Sequence, residues 1–193
     1  MITSSGMIIA LLSLAAHLLI PVGPTTVVSS REEIIHKPSY EHVLTSVHLS
    51  LDSLELEDRS VWTIAPPDAY IVPGWQRGDK VILTPHNSWF SIYKFDYALS
   101  NIDRGNYVRV NFASHPCDYQ KTARWIINLD AHSNRVFLSD GSSWQIHSDD
   151  AALFKNWTIN DFLIFGKNDQ LFGTYPFLLI NGRLGHCVRA IEF

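Results

Sequence analysis

One pattern written twice is the strongest constraint on this chain. The stretch Leu56-Glu57-Asp58-Arg59-Ser60-Val61-Trp62-Thr63-Ile64 returns as Leu138-Ser139-Asp140-Gly141-Ser142-Ser143-Trp144-Gln145-Ile146, 82 positions later. At the same spacing Asp68 meets Asp150, Trp75 meets Trp157, Asp79 meets Asp161 and Ile82 meets Ile164. Past a two-residue deletion, Leu99 meets Leu179, Asn101 meets Asn181, Gly105 meets Gly185, and Val108-Arg109 meets Val188-Arg189. Chance seldom keeps so many Trp, Gly and Asp residues in step, so the chain reads as a tandem repeat. Units of about 70 residues lie near the lower size limit for an independent core, and the two copies are expected to pack together or share strands.

Each copy alternates apolar and polar residues over short runs separated by turn residues, the mark of strands with one buried face. Strands are expected at 47–51, 54–56, 61–64, 80–84, 89–99 and 107–112 in the first copy. In the second they are expected at 124–129, 135–138, 162–165 and 188–193. Asp58-Arg59 and Asp140-Gly141 fall where a two-residue hairpin turn fits, and 69–72 suits a single helical turn leading to Trp75. Five or six short strands per copy suit a small barrel better than a sandwich. The expected fold is all-β: two tandem small SH3-like or otherwise partly open β-barrels over 46–113 and 122–193, joined by a connection containing Pro116.

The residues ahead of the repeats differ in kind. Positions 7–20 form an apolar run broken by Pro21 and Pro24 and followed by Val28-Ser29-Ser30. This is the pattern of an exported chain with an apolar leader helix within 1–30, cleaved near Ser29 or Ser30. The alternative is an uncleaved anchor, which would be the chain's one membrane contact. Residues 31–45, with Arg31-Glu32-Glu33 and Pro38, read as a linker outside the core. Export places the protein in the periplasm, the envelope or outside the cell. A net charge of −4 with 15 scattered Lys and Arg gives no basic surface, which disfavours nucleic acid as a partner.

The pattern Leu-x-Asp-x-Ser-x-Trp-x-Ile, then Trp75-x-x-Gly78-Asp79, then an aromatic strand ending in Leu99-x-Asn101, resembles repeats of uncharacterised exported bacterial proteins, including chlamydial-type hypothetical proteins. The resemblance spans about residues 46–193 and implies export and repeat architecture, with no activity attached. The second copy departs from it where Gly78 becomes Asn160, a residue that also tolerates turn conformations.

The repeated residues read as a framework comprising Trp62, Asp68, Trp75, Asp79 and Asn101 with Trp144, Asp150, Trp157, Asp161 and Asn181. Trp62 and Trp144 are expected in the core. Trp75 and Trp157 precede turns and fit as plugs for the barrel ends, while the four aspartates fit as turn-capping acceptors rather than catalytic or cation-binding groups. No metal site or cofactor is expected: His-Glu-x-x-His does not occur, and His36 and His42 fall in the linker. Cys117 and Cys187, an even pair in an exported chain, are expected to form a disulfide, the alternative being two unpaired buried thiols.

Two functions fit this reading. The first is a non-catalytic envelope module binding a protein or glycan partner, with Trp89, Phe90 and Tyr93 as its candidate contact surface. The second is a cysteine-dependent peptidoglycan-modifying enzyme. Gly185-His186-Cys187-Val188-Arg189 resembles the Ser-His-Gly-Cys-x-Arg signature of L,D-transpeptidases, which implies Cys187 as nucleophile and His186 or a distant histidine as base. The order here is Gly-His-Cys, and the first copy has Asn106 and Tyr107 at these positions.

Overall fold

Along each strand the inward side chains are largely those shared by the two copies, and they dictate two barrels of the same topology. The computed structural model describes residues 39–86, 95–115, 124–169 and 173–193; the expected leader helix lies outside these. In the first copy the strands are β1 (Glu41–His48), β2 (Ser53–Leu56), β3 (Val61–Ile64), β4 (Lys80–Pro85), β5 (Tyr97–Asn101) and β6 (Asn106–Ser114). The second copy supplies β7 (Arg124–Asp130), β8 (Arg135–Leu138), β9 (Ser143–Ile146), β10 (Phe162–Lys167), β11 (Phe177–Asn181) and β12 (Cys187–Glu192). Each set closes into an antiparallel six-stranded barrel, in the orders β1-β2-β3-β6-β5-β4 and β7-β8-β9-β12-β11-β10.

Closure corrects the expectation of partly open barrels, and the closing strand comes from the presumed linker. Glu41, His42 and Val43 pair with Ile82, Val81 and Lys80. His42 and Leu44 point inward, at 3% and 0% exposure. The alternation is present in the sequence, but an inward histidine hides it. A register shift follows Leu44 in β1 and, at the equivalent place, Ile126 in β7. Such bulges sharpen strand twist where a short sheet must curl onto itself.

The turns repeat as faithfully as the core. Left-handed backbone occurs at four equivalent pairs: Asp52 and Asn134, Arg59 and Gly141, Gly78 and Asn160, Gly105 and Gly185. Gly, Asn and Asp enter this region at low cost, and Arg59 is the exception. Its N–H donates to the Leu56 carbonyl at 2.9 Å, and its Nε lies 3.2 Å from the Glu55 carboxylate. The hairpin here has three loop residues, not the expected two, because Leu56 N–H donates to the Ser60 carbonyl and Leu138 N–H to that of Ser142. A left-handed third residue then returns the chain to the ladder.

Trp62 and Trp144 are fully buried. Each indole N–H donates to a serine hydroxyl two residues earlier, Ser60 or Ser142, at 2.8 Å. The serine N–H groups in turn donate to Asp58 and Asp140. The repeated Asp-x-Ser-x-Trp is therefore a hydrogen-bonded chain that lets an indole enter an apolar core without an orphaned donor.

The barrels pack through a face that differs between the copies. Phe162, Ile164 and Ile180 occupy outward positions of β10 and β11 where the first copy has Lys80, Ile82 and Ser100. Ile164 and Ile180 are buried in the first barrel's apolar cluster, with Phe162 packed against it. The approach is close enough that a Cβ on Gly166 would lie 3.0 Å from the Leu83 carbonyl oxygen. At Gly182 the need for glycine is purely spatial, since an added Cβ would fall 1.8 Å from the Phe162 ring. That ring stacks on His115 at 3.9 Å and meets Phe112 and Trp125 at 5.9 and 5.8 Å. Gly182→Ala is expected to evict the ring and cost about 1–3 kcal/mol. Thermal unfolding would read the loss, and an unchanged midpoint would show that the ring has room to yield.

Candidate functional site

The framework aspartates sit outside the cores as clamps on the turns. Asp79 accepts the Gln76 N–H at 2.9 Å, the Asn101 amide at 2.8 Å and Arg104 Nε at 3.2 Å. Asp161 accepts the Thr158 N–H at 2.9 Å, the Asn181 amide at 2.8 Å and the Arg183 guanidinium. Burial raises both carboxyl pKa values, but the arginine and asparagine donors outweigh it and hold both below the ordinary range. The arginines were missed in sequence because they lie one residue out of step: Arg183 occupies the place of Asp103, and Arg104 that of Leu184.

Trp75 and Trp157 are 4% exposed. Their indoles donate to copy-specific partners at one shared position, Asn106 Oδ1 at 2.8 Å and His186 Nε2 at 3.0 Å. In the first copy two 3-10 turns, Pro66–Asp68 and Val72–Gly74, replace the expected helical turn. In the second, a 3-10 turn at Ser148–Asp150 runs into one α-helical turn, Ala151–Phe154.

Asp68 and Asp150 lie in these turns without capping them: each carboxylate is taken up by the outer arginine of the last strand. Arg109 donates to Asp68 through its backbone N–H at 2.8 Å and through Nε and Nη2, both at 2.7 Å. Arg189 repeats this on Asp150 at 2.8 to 2.9 Å. The Arg109 hydrogen bonds hold the Asp68 carboxyl below its usual range despite the opposing effect of burial.

Over the first of these pairs lies a cavity of about 410 Å³ lined by Asp68, Tyr70, Ile71, His86, Tyr107 and Arg109. Tyr70 is 81% and Tyr107 54% exposed. The second copy keeps the Asp150–Arg189 pair but has Ala152, Leu153, Asn168 and Cys187 at the other four positions. Both copies keep the ion pair, and the second does without the aromatic residues. Sequence reading aimed at what repeats passed over Tyr70, His86 and Tyr107, whose signal is that they do not repeat. The aromatic residues singled out there, Trp89, Phe90 and Tyr93, lie outside the described residues.

Cys187 corrects a second expectation. It is a free thiol, so the Cys117–Cys187 disulfide is not formed; Cys117 itself lies outside the described residues. Cys187 faces the first barrel, packed against its core cluster. Tyr97, beside the Cys187 sulfur, donates from its hydroxyl to the Gly185 carbonyl at 3.2 Å. Burial, with the charges of Asp150 and Asp96, pushes the thiol pKa up against the opposing influence of Tyr97. A nucleophilic cysteine needs the opposite shift. His186 accepts a hydrogen bond from the Trp157 indole on Nε2. Among the described residues no group of three or more His, Cys, Asp or Glu is placed to hold a metal ion.

No family model matches this chain, and neither the curated proteins nor the solved structures contain a match to it.

Proposed function

We propose that this protein is an exported, non-catalytic module of the cell envelope that binds a protein or glycan partner through its first barrel while the second braces it. The carrying observation is the difference between two copies of one fold. Copy one places two exposed tyrosines and a histidine around an ion pair that copy two keeps without them. Exposed aromatic rings beside a cavity are what a binding surface needs and a barrel core does not. The second copy has instead spent its variable positions on the inter-barrel contact, through Ile164, Ile180, Phe162 and Cys187. The apolar run at 7–20 supplies the motive for export.

The test is site-specific photo-crosslinking in the natural host, with a photoreactive phenylalanine analogue at position 70 or at its counterpart, position 152. An envelope adduct from position 70 and none from 152 is the expected result. A chain recovered from the cytosol, or equal labelling at both positions, would overturn the proposal.

A further inference from the structure

We infer that the ligand of the first-barrel cavity is a neutral carbohydrate, an inference that rests on the binding function proposed above. The electrostatics come first. Asp68 and Arg109 neutralise each other through a two-pronged contact at 2.7 Å on each arm, so the cavity floor offers polarity without net charge. An ionic ligand would have to compete with that pair for one of its members. A hydroxylated ligand can instead join it, donating to the remaining lone pair on Asp68 Oδ1 and accepting from Arg109 Nη1, which Asp68 does not use.

The apolar contribution comes from Tyr70 and Tyr107 with the half-buried Ile71. Tyr107 and Arg109 are two residues apart on β6 and so share its outer face. Tyr70 stands on the turn that follows Asp68, with Ile71 N–H donating to the Asp68 backbone carbonyl at 3.0 Å. Flat aromatic faces beside fixed hydrogen-bonding groups match a sugar ring, which has C–H faces and a rim of hydroxyls. About 410 Å³ falls within the range of small-ligand cavities. An extended peptide is the weaker fit, because among the described residues both sheets close on themselves and leave no free edge for strand addition.

The probes are neutral di- to tetrasaccharides (cellobiose, chitobiose, maltose and their longer homologues), titrated into the full chain by calorimetry and NMR. An anionic oligogalacturonate and a neutral peptide serve as comparators. At least one neutral saccharide is expected to bind, with affinity unchanged between 50 and 500 mM salt to within about twofold, since no net charge is engaged. Tyr70→Ala and Tyr107→Ala should each weaken it about tenfold or more, whereas Tyr70→Phe and Tyr107→Phe, which keep the ring, should cost about threefold or less. Both tyrosines are exposed, so these variants test the site without threatening the fold. Binding that prefers the anionic saccharide, fades with salt, or survives both alanine variants would overturn the inference. If none of the neutral saccharides binds while position 70 still crosslinks to an envelope protein, the carbohydrate inference falls and the binding module stands. If crosslinking fails too, both fall.

Discussion

Trp144→Ala is expected to destabilise the protein by about 4 kcal/mol. The side chain is fully buried, its ring edge-to-face with Phe165 at 5.0 Å and Phe177 at 4.9 Å. Truncating a buried tryptophan costs the transfer of its apolar area plus the cavity left behind, about 3–5 kcal/mol together. This site stays clear of the lower end of that range because a closed barrel has no free edge to collapse inward. The polar loss is smaller: Ser142, relieved of the indole, still has Asp140 at 2.6 Å. Trp62→Ala supplies an internal control, since Trp62 is equally buried between Tyr97 and Phe112, both at 5.5 Å. Urea unfolding followed by circular dichroism measures both. A loss below about 1.5 kcal/mol at either position would mean that the barrel refills the space. Because Ile164 and Ile180 of the second barrel complete the first barrel's core, both variants should unfold in one transition at every probe. Two separated transitions would show that the barrels fold independently.

The two tryptophans were legible in sequence because bulk and an indole donor serve one purpose in both copies, and repetition exposes such a purpose. The place of the turns, though not their three-residue length, was legible for the same reason: Asp58-Arg59 and Asp140-Gly141 share a backbone requirement that different residues meet. β1 was not, because its inward positions are His42 and Leu44, and a histidine satisfied by hydrogen bonds reads as a polar linker residue. Arg104 and Arg183 escaped because a long side chain reaches Asp79 or Asp161 from either of two neighbouring loop positions, so function is kept while alignment slips. The disulfide expectation weighed cysteine count against compartment, but the placement of Cys187 follows from packing: it sits where the second barrel meets Tyr97. The cavity residues are the converse of the tryptophans. Tyr70, His86 and Tyr107 have no counterparts in the second copy, and one sequence offers no measure of which differences matter until the fold brings them to one place.

Removing His42 should loosen the joint between the barrels in a way that depends on pH. His42 lies on β1 of the first barrel, with Nδ1 2.9 Å from Glu57 Oε1 and Nε2 2.6 Å from the Phe165 carbonyl on β10 of the second. Both partners are acceptors, so the ring must donate from both nitrogens, which only the imidazolium does. Burial pushes the His42 pKa down, but the hydrogen bond and charge of Glu57, the charge of Asp58 and the Phe165 carbonyl outweigh it and raise the pKa to about 9. Glu57 is correspondingly held below its ordinary value by His42 and the Val43 N–H, against its own burial. A histidine whose pKa is raised on folding contributes stability that is complete below its unfolded value of about 6.5. That contribution fades as pH rises through about 9. His42→Ala is therefore expected to cost about 2–3 kcal/mol at pH 6, toward the lower end because Glu57 is partly in water. The difference between wild type and variant should shrink steadily between pH 7 and pH 10, an interval in which other titrations cancel from the comparison. It should shrink again in acid, as pH falls below the ordinary carboxylate range and Glu57, held below its usual value, takes up its proton so that the pair loses its charge. Denaturant midpoints for both proteins across this range decide the matter. Parallel curves from pH 6 to 10 would show that the ring is held neutral and that packing alone joins β1 to β10.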